Sequence, residues 1–245
     1  MRCSLALALV LACLAVLAPD RAEAKKRKYN GIVVLNGVRM GVRWSDGDSF
    51  KFTAGPHKKR GTRLAGFNTL ESYGPVHRWG DWTAAELFAI ATSSAEIAVT
   101  REWNCRWDGK ADGYGRMLID CPDLSKEMIR QGHGMAFTVE GEADPELLKA
   151  QRQAQKEKKG MWAKGVPAGI VSSLHSAHEK DQVYNRVVDT RSGAAKEMPH
   201  AKVYETCQEV CVGEGKAASC LVYVPFEARY RDKPECLKVK KPAAP

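Results

Sequence analysis

Short stretches rich in β-branched and aromatic residues fill the first part of the chain and predict strands. Asn36-Gly37 separates the first two stretches and is a strong signal for a two-residue hairpin turn. A later pair of stretches flanks the glycine-bearing segment 108–115, which predicts a second hairpin. The predicted strands are residues 32–35, 38–44, 49–53, 62–65, 97–103 and 117–121.

Helix formers and helix-end signals mark three later segments. Residues 84–91 and 123–131 are the first two predicted helices. Asp144-Pro145 predicts the start of the third, with Asp as the N-cap and Pro at the first helical position, and this helix is expected to run over 144–159. Strands and helices in this order fit a small β-barrel of the OB type, closed by helices.

The composition changes after residue 163. Residues 164–173 contain Gly, Pro and Ser and are interpreted as a linker, and residues 174–245 form a polar, cysteine-rich region. That region has one clear predicted strand, at 221–225, and an end that we expect to be disordered. Five or so strands and three helices therefore predict an α+β fold class: a five-stranded OB-type β-barrel capped by three helices in residues 30–163, with a small disulfide-rich C-terminal appendage.

The N-terminus has the layout of a secretory signal sequence: a positive start, an apolar run and a small-x-small cleavage site. We expect residues 1–24 to be removed on export, to the periplasm or the medium, and residues 25–29 to form a basic arm. An alternative is a lipoprotein signal with a lipid anchor on Cys13. No other segment is long and apolar enough to predict a transmembrane helix.

The net charge is +9, with an isoelectric point of about 9.1. A basic chain suits a polyanionic partner such as nucleic acid, an anionic membrane surface or an acidic polysaccharide. The net charge by itself does not indicate which of these partners the protein binds.

The cysteine count agrees with export, because an even number of cysteines in an oxidising compartment predicts disulfides. Cys105 and Cys121 lie symmetrically about Gly113, so a disulfide across the second hairpin is geometrically plausible. The remaining four have three possible pairings, and their spacing lacks the paired C-x2-C of common zinc sites. The six cysteines outside the signal are Cys105, Cys121, Cys207, Cys211, Cys220 and Cys236.

Three short segments stand out; each alone is typical of an ordinary turn or polar loop, but together they offer the carboxylates and arginines that phosphodiester hydrolysis needs. They are Asp-Gly-Asp-Ser at 46–49, Arg-Leu-Ala-Gly-Phe-Asn-Thr-Leu-Glu at 63–71 and Asp-Gly-Tyr-Gly-Arg at 112–116. A carboxylate orients and deprotonates the attacking water, and arginines bind phosphate oxygens with a planar fork of donors. A hard divalent cation with oxygen ligands polarises the phosphoryl group.

The order of these segments is specific. A helix ending in Arg-Gln-Gly at 130–132 follows them, and then comes Gly-Met-Trp at 160–162. Together they resemble the staphylococcal nuclease (thermonuclease-like) family over about residues 30–163. The resemblance implies an OB-type barrel with three helices and calcium-dependent hydrolysis of phosphodiester bonds in DNA and RNA.

The resemblance also implies a calcium site. Asp48 corresponds to a ligating carboxylate, and Thr69 to a residue that offers its backbone carbonyl. Asn68 stands where the family usually has a second ligating Asp, which predicts weaker calcium binding. Asp46 is a candidate to supply the missing charge through a water molecule.

The catalytic roles follow in the same way. Glu71 corresponds to the general base, and Arg63 and Arg116 correspond to the two phosphate-binding arginines. Leu70 replaces the usual Pro, and Tyr114 is expected to line the substrate pocket. The alternative function is a catalytically weakened module of the cell envelope that binds nucleic acid or protein, since this barrel type also supports pure binding.

Overall fold

The computed structural model describes residues 29–179, 183–229 and 234–238. The predicted signal sequence with Cys13, the basic arm up to residue 28, and residues 239–245 of the C-terminal end lie outside the described residues. Each helix in the part of the chain that the structure describes is too short or too polar to cross a membrane.

Short strands make up much of the described chain before residue 137. They are β1 (Asn30–Leu35), β2 (Val38–Trp44), β3 (Phe50–Phe52), β4 (Thr62–Leu64), β5 (Phe67–Thr69), β6 (His77–Trp79), β7 (Trp103–Cys105), β8 (Met117–Ile119) and β9 (Gly134–Ala136). A four-stranded sheet has the order β3-β2-β1-β7. Its β1–β2 pair is antiparallel, and the Asn36-Gly37 turn has φ values of 49° and 86°, so the predicted hairpin is confirmed.

Two further ladders lie beside this sheet, β4 with β8 and β5 with β9. Single bridges, Lys51↔Gly61 and Arg106↔Asp120, connect the β4–β8 ladder to the two edges of the four-stranded sheet. The described strands therefore surround a common core without one continuous ladder. This corrects the expectation of a closed five-stranded barrel.

A side chain explains one interruption of the ladder. The Thr62 hydroxyl donates to the Phe50 carbonyl at 2.9 Å and accepts from the Phe50 N–H at 3.0 Å. A side-chain hydroxyl thus satisfies backbone groups that would otherwise pair between β3 and β4. The pairing between these strands is completed only at Lys51 and Gly61.

The first helix, α1, is longer than predicted. It spans Ala84–Ala98, whereas the pattern predicted a helix at 84–91 and a strand at 97–103. Thr83 and Glu86 form a capping box at its start. The strand prediction is wrong because the helix continues to Ala98, where its buried face packs against the core, and β7 contains only the last residue of the predicted strand.

The other two helices agree with prediction to within about a turn. They are α2 (Pro122–Arg130) and α3 (Pro145–Lys156). The Asp144 carboxylate accepts hydrogen bonds from two backbone N–H groups of the first turn of α3, at 2.8 and 3.2 Å, which confirms the N-cap. A 3-10 turn at Gly160–Trp162 follows.

The N-terminal part has one main apolar core between strands and helices. The sheet contributes Val33, Trp44 and Phe50, and α2 contributes Leu124 and Met128, all at most 2% exposed. Burial of these large side chains is the principal source of stability for this part of the fold.

The C-terminal region contains more strands than the single one predicted at 221–225. Its strands are β10 (Gly169–Ser173), β11 (Tyr184–Asp189), β12 (Ala195–Pro199), β13 (Glu209–Val212) and β14 (Ser219–Val222), with 3-10 turns at Gly215–Ala217, Phe226–Arg229 and Glu235–Leu237. β10, β11 and β12 form an antiparallel sheet. β10 lies within 164–173, so the second half of the predicted linker is a strand, with Ile170 and Val171 fully buried.

β6 joins the two parts of the chain. The hairpin β13–β14 pairs with β6 to give a three-stranded sheet of order β13-β14-β6. Leu221 of β14 lies opposite His77 of β6 in this antiparallel pair. The C-terminal region is therefore built directly onto a strand that follows the candidate base, Glu71, by a few residues.

All six cysteines of the described residues form disulfides. The predicted Cys105–Cys121 pair is confirmed. The remaining two pairs are Cys207–Cys236 and Cys211–Cys220, and the latter joins opposite residues of the β13–β14 hairpin.

Candidate active site

A tight acidic turn follows β2. The Ser45 N–H donates to the Ser49 carbonyl at 3.0 Å. Asp46 Oδ1 accepts from the Asp48 N–H at 3.1 Å and from the Ser49 hydroxyl at 2.7 Å. Burial and the neighbouring charge of Asp48 raise the pKa of Asp46 well above its usual range. Two carboxylates thus lie close together in a fixed turn.

Gly47 lets this turn approach the rest of the domain closely. A Cβ atom at Gly47 would lie 2.7 Å from Thr69 Cγ2 and 2.8 Å from Ser94 Cβ. It would also lie 3.2 Å from Met128 Cε. Any side chain here would separate the acidic turn from β5, α1 and α2.

Asp48 is buried, at 2% exposure, and its charge is compensated. Its Oδ1 forms an ion pair with Arg63 Nη1 at 2.7 Å, and its Oδ2 accepts from the Thr69 N–H at 2.8 Å. The Asp48 carbonyl also accepts from the Leu64 N–H at 2.9 Å. These bonds connect the acidic turn to β4 and β5.

Asn68 belongs to the same network. Its Oδ1 accepts from Arg63 Nη2, and its Nδ2 donates to the Thr69 carbonyl at 3.0 Å. The structure therefore brings together Asp48, Asn68 and Thr69, the three residues predicted to bind calcium, around the Arg63 guanidinium.

Glu71 lies in the loop between β5 and β6, and its side chain is partly buried. Burial and the charge of Asp48 raise the pKa of Glu71, and the positive charge of Arg229 is the strongest opposing influence. The Glu71 N–H donates to His77 Nε2 at 3.3 Å. His77 is 2% exposed, and burial lowers the pKa of its ring to about 3.

Arg116 is positioned by Asp112. Its Nε donates to Asp112 Oδ2 at 2.7 Å, and its N–H donates to Asp112 Oδ1 at 2.9 Å. The Arg116 Cζ lies 5.6 Å from the centre of the Tyr114 ring. Tyr114 is 67% exposed and is absent from the lining of the cleft described next, so its predicted role remains a prediction.

An open cleft of ≈ 860 Å³ brings these groups together. Its lining includes Asp48, Arg63, Thr69, Glu71 and Arg116 from the predicted set, whereas Asn68 lies behind the surface. Five cationic and three acidic side chains line the cleft, so the formal net charge of its lining is positive. A cleft of this kind favours an anionic ligand.

Sequence reasoning missed several residues of this lining. Arg43 and Lys51 lie opposite each other on β2 and β3, and strand alternation offers a signal for them once the hairpin is known. Tyr73 follows Glu71 closely in the chain. Phe226 and Arg229 come from the C-terminal region, and no local pattern assigns them to the cleft.

The donor set fits calcium in type. Asp48, Asn68 and the Thr69 carbonyl provide only oxygen atoms, which are the ligands that calcium prefers. Arg63 bonds to two of these residues, so it would compete with a cation for the same oxygens.

The fold and the cleft define a class: a small α+β domain with carboxylates and arginines facing one positively charged cleft, suited to an anionic ligand. Residues 61–164 match the family model of staphylococcal nuclease homologues. The match confirms the resemblance for this stretch and implies an OB-type fold there. It includes Arg63, Glu71 and Arg116 and begins after Asp48. No curated protein matches the chain significantly.

Proposed function

We propose that this protein is an exported, calcium-dependent nuclease that hydrolyses phosphodiester bonds of DNA or RNA. The observation that carries the proposal is the convergence of Asp48, Arg63, Glu71 and Arg116 on one positively charged cleft. These residues come from three separate segments of the chain. The family match over 61–164 supports a nuclease-type function independently.

Glu71 is proposed as the general base. Its carboxylate lines the cleft, and the His77 contact holds its backbone. A carboxylate in this setting orients a water molecule and takes its proton as the water attacks phosphorus.

Arg63 and Arg116 are proposed to bind the scissile phosphate. Asp112 holds the Arg116 guanidinium before the substrate arrives, and Asp48 holds that of Arg63 until calcium takes the same oxygens. Fixed donors stabilise the negative charge that develops in the transition state without reorganisation. Tyr114, beside Arg116, is proposed to contact the substrate at the rim.

Asp48, Asn68 and the Thr69 carbonyl are proposed to hold calcium, with Asp46 contributing charge through water. When bound, this cation polarises the phosphoryl oxygen and neutralises its charge. The short hydrogen-bonded network that joins the three residues supports a common site.

The decisive experiment is hydrolysis of single-stranded DNA by the purified mature chain, with calcium or with chelator. Glu71→Gln is expected to remove at least a factor of about 10² in kcat, because a general base contributes about 10²–10⁴-fold. Glu142→Gln, an exposed change outside the cleft, is the matched control and should retain activity. Tight binding without cleavage in both the wild type and Glu71→Gln would instead indicate the alternative function, a binding module.

The calcium proposal has its own test. Asn68→Asp adds a second ligating carboxylate and is expected to lower the calcium concentration that gives half-maximal activity. Asn104→Asp adds the same charge at an exposed residue outside the cleft and should leave that concentration unchanged. An unchanged calcium requirement in Asn68→Asp would show that Asn68 is not a ligand.

Export is proposed from the signal-like N-terminus and is supported by the three disulfides, which persist in oxidising compartments. Mass spectrometry of the native protein would test it. A mature N-terminus at residue 25 is expected, and a lipid-modified Cys13 would indicate the tethered alternative.

A further inference from the structure

The C-terminal region reaches the candidate active site through a defined path. β14 pairs with β6, and the chain then continues through Val224 into the 3-10 turn Phe226–Arg229. This turn brings Phe226 and Arg229 to the lining of the same cleft that contains Glu71 and Arg116. The 61–164 family match does not include this turn.

The Arg229 side chain is held in place at the cleft. Its Nε donates to the Val224 carbonyl at 3.0 Å, which leaves the terminal Nη groups as further donors. Its aliphatic part packs on Gly74, where a Cβ atom would lie 2.8 Å from Arg229 Cδ. Gly74 also has a φ of 129°, so a side chain there would be both strained and in collision with Arg229.

Arg229 lies on the same cleft wall as the proposed base. Both Arg229 and Glu71 line the cleft, together with Tyr73 and Arg116. An arginine beside the base and on the cleft wall lies near the path that a polyanionic chain would follow.

Phe226 extends this surface. Its ring is 64% exposed, and the Arg229 Cζ lies 6.0 Å from the ring centre. Proteins bind single-stranded nucleic acid with exposed aromatic rings next to guanidinium groups, because bases stack on the ring while the cation contacts the phosphate backbone.

We propose that Phe226 and Arg229 form an additional nucleotide subsite, in which Arg229 binds a backbone phosphate next to the scissile one and Phe226 stacks on the adjoining base. The proposal rests on the proposed nuclease function and adds to it a part of the substrate site that the C-terminal region supplies.

The test is equilibrium binding of a fluorescent single-stranded oligothymidylate over a range of salt concentrations. Glu71→Gln serves as the background throughout, so that the probe stays intact. Arg229→Gln in this background should weaken binding about tenfold, since it removes one phosphate contact. The slope of the logarithm of the association constant against log[salt] should become shallower by about 0.7, the value for one phosphate contact on a single strand. A merely structural role for Arg229 would not change this slope.

Arg191→Gln is the matched control. Arg191 is an exposed arginine of the same C-terminal region outside the cleft, and its replacement should preserve both affinity and slope. An equal change of slope in the two variants, or no change in Arg229→Gln, would overturn the subsite. Absence of any oligonucleotide binding in the Glu71→Gln background would instead refute the proposed function itself.

Phe226 is tested separately in the same assay. Phe226→Ala should weaken binding severalfold with the salt slope unchanged, because stacking releases no counterions. Unaltered affinity in this variant would refute the stacking role. In the active enzyme, Arg229→Gln should raise KM while kcat stays within about threefold, since Arg229 is proposed to bind a neighbouring phosphate and not the reacting one.

Discussion

His77 makes the stability of this protein depend on pH in a way that can be calculated. Its ring is buried, Nε2 accepts the Glu71 N–H, and Nδ1 finds no hydrogen-bond partner among the described residues. Burial lowers the pKa of His77 to about 3, whereas a histidine in an unfolded chain has a pKa of about 6.5. The folded state therefore keeps this ring neutral in a range where the unfolded state protonates it.

The sign follows from proton linkage. Between these two pKa values the unfolded chain binds the extra proton, so stability falls as the pH falls below about 6.5. Each pH unit in this range corresponds to about 1.4 kcal/mol. From pH 8 to pH 5, His77 should therefore reduce the free energy of unfolding by about 2 kcal/mol. This result holds for any folded-state pKa well below 5.

The assay is urea unfolding with disulfides intact, at pH 8 and at pH 5, for the wild type and His77→Gln. Glutamine keeps an acceptor for the Glu71 N–H and does not titrate. The loss of unfolding free energy between the two pH values should be about 2 kcal/mol smaller in the variant. His178→Gln, which removes an exposed histidine and retains His77, should behave like the wild type. Equal losses in the wild type and His77→Gln would refute the reasoning.

Three further changes test the fold by urea unfolding. Gly47→Ala would bring a Cβ to 2.7 and 2.8 Å from other side chains and should lower the free energy of unfolding by about 1–3 kcal/mol. Gly113→Ala is the control, because its Cβ would meet nothing within 4 Å. An equal loss of stability in Gly113→Ala would contradict the steric reason. Replacing Cys105 and Cys121 by Ala together should lower the free energy of unfolding by about 3 kcal/mol, as expected for a loop of this length. An unchanged free energy of unfolding would show that the disulfide is not stabilising. Asp144→Ala should lower the free energy of unfolding by about 1 kcal/mol, whereas Asp144→Asn, which keeps a capping oxygen, should stay near the wild type. Equal losses in both variants would exclude capping as the cause.

Local signals predicted those features that depend on neighbouring residues. The Asn36-Gly37 hairpin and the Asp144 cap are confirmed because turn and cap geometry are properties of a few consecutive residues. The Cys105–Cys121 pair is confirmed, but the predicted second hairpin is reduced to the single antiparallel bridge Arg106↔Asp120, because β7 pairs with β1 and β8 pairs with β4.

Predictions failed where tertiary packing decides. The β-forming residues at 97–103 predicted a strand, yet α1 continues to Ala98 because its buried face packs against the core. The segment 164–173 looked like a linker from its Gly, Pro and Ser content, but Ile170 and Val171 are buried in sheet β10–β12. Short strands in a polar, cysteine-rich region have too weak a pattern to be recognised one at a time.

The sequence by itself supplied the candidate groups, the carboxylates Asp48 and Glu71 and the arginines Arg63 and Arg116, in an order that resembles the family whose model matches residues 61–164. Only the tertiary structure decided that Arg229 joins them, because pairing of β14 with β6 connects segments far apart in the chain. Such pairing depends on which sheet edge is available in the folded protein, and no local periodicity records it.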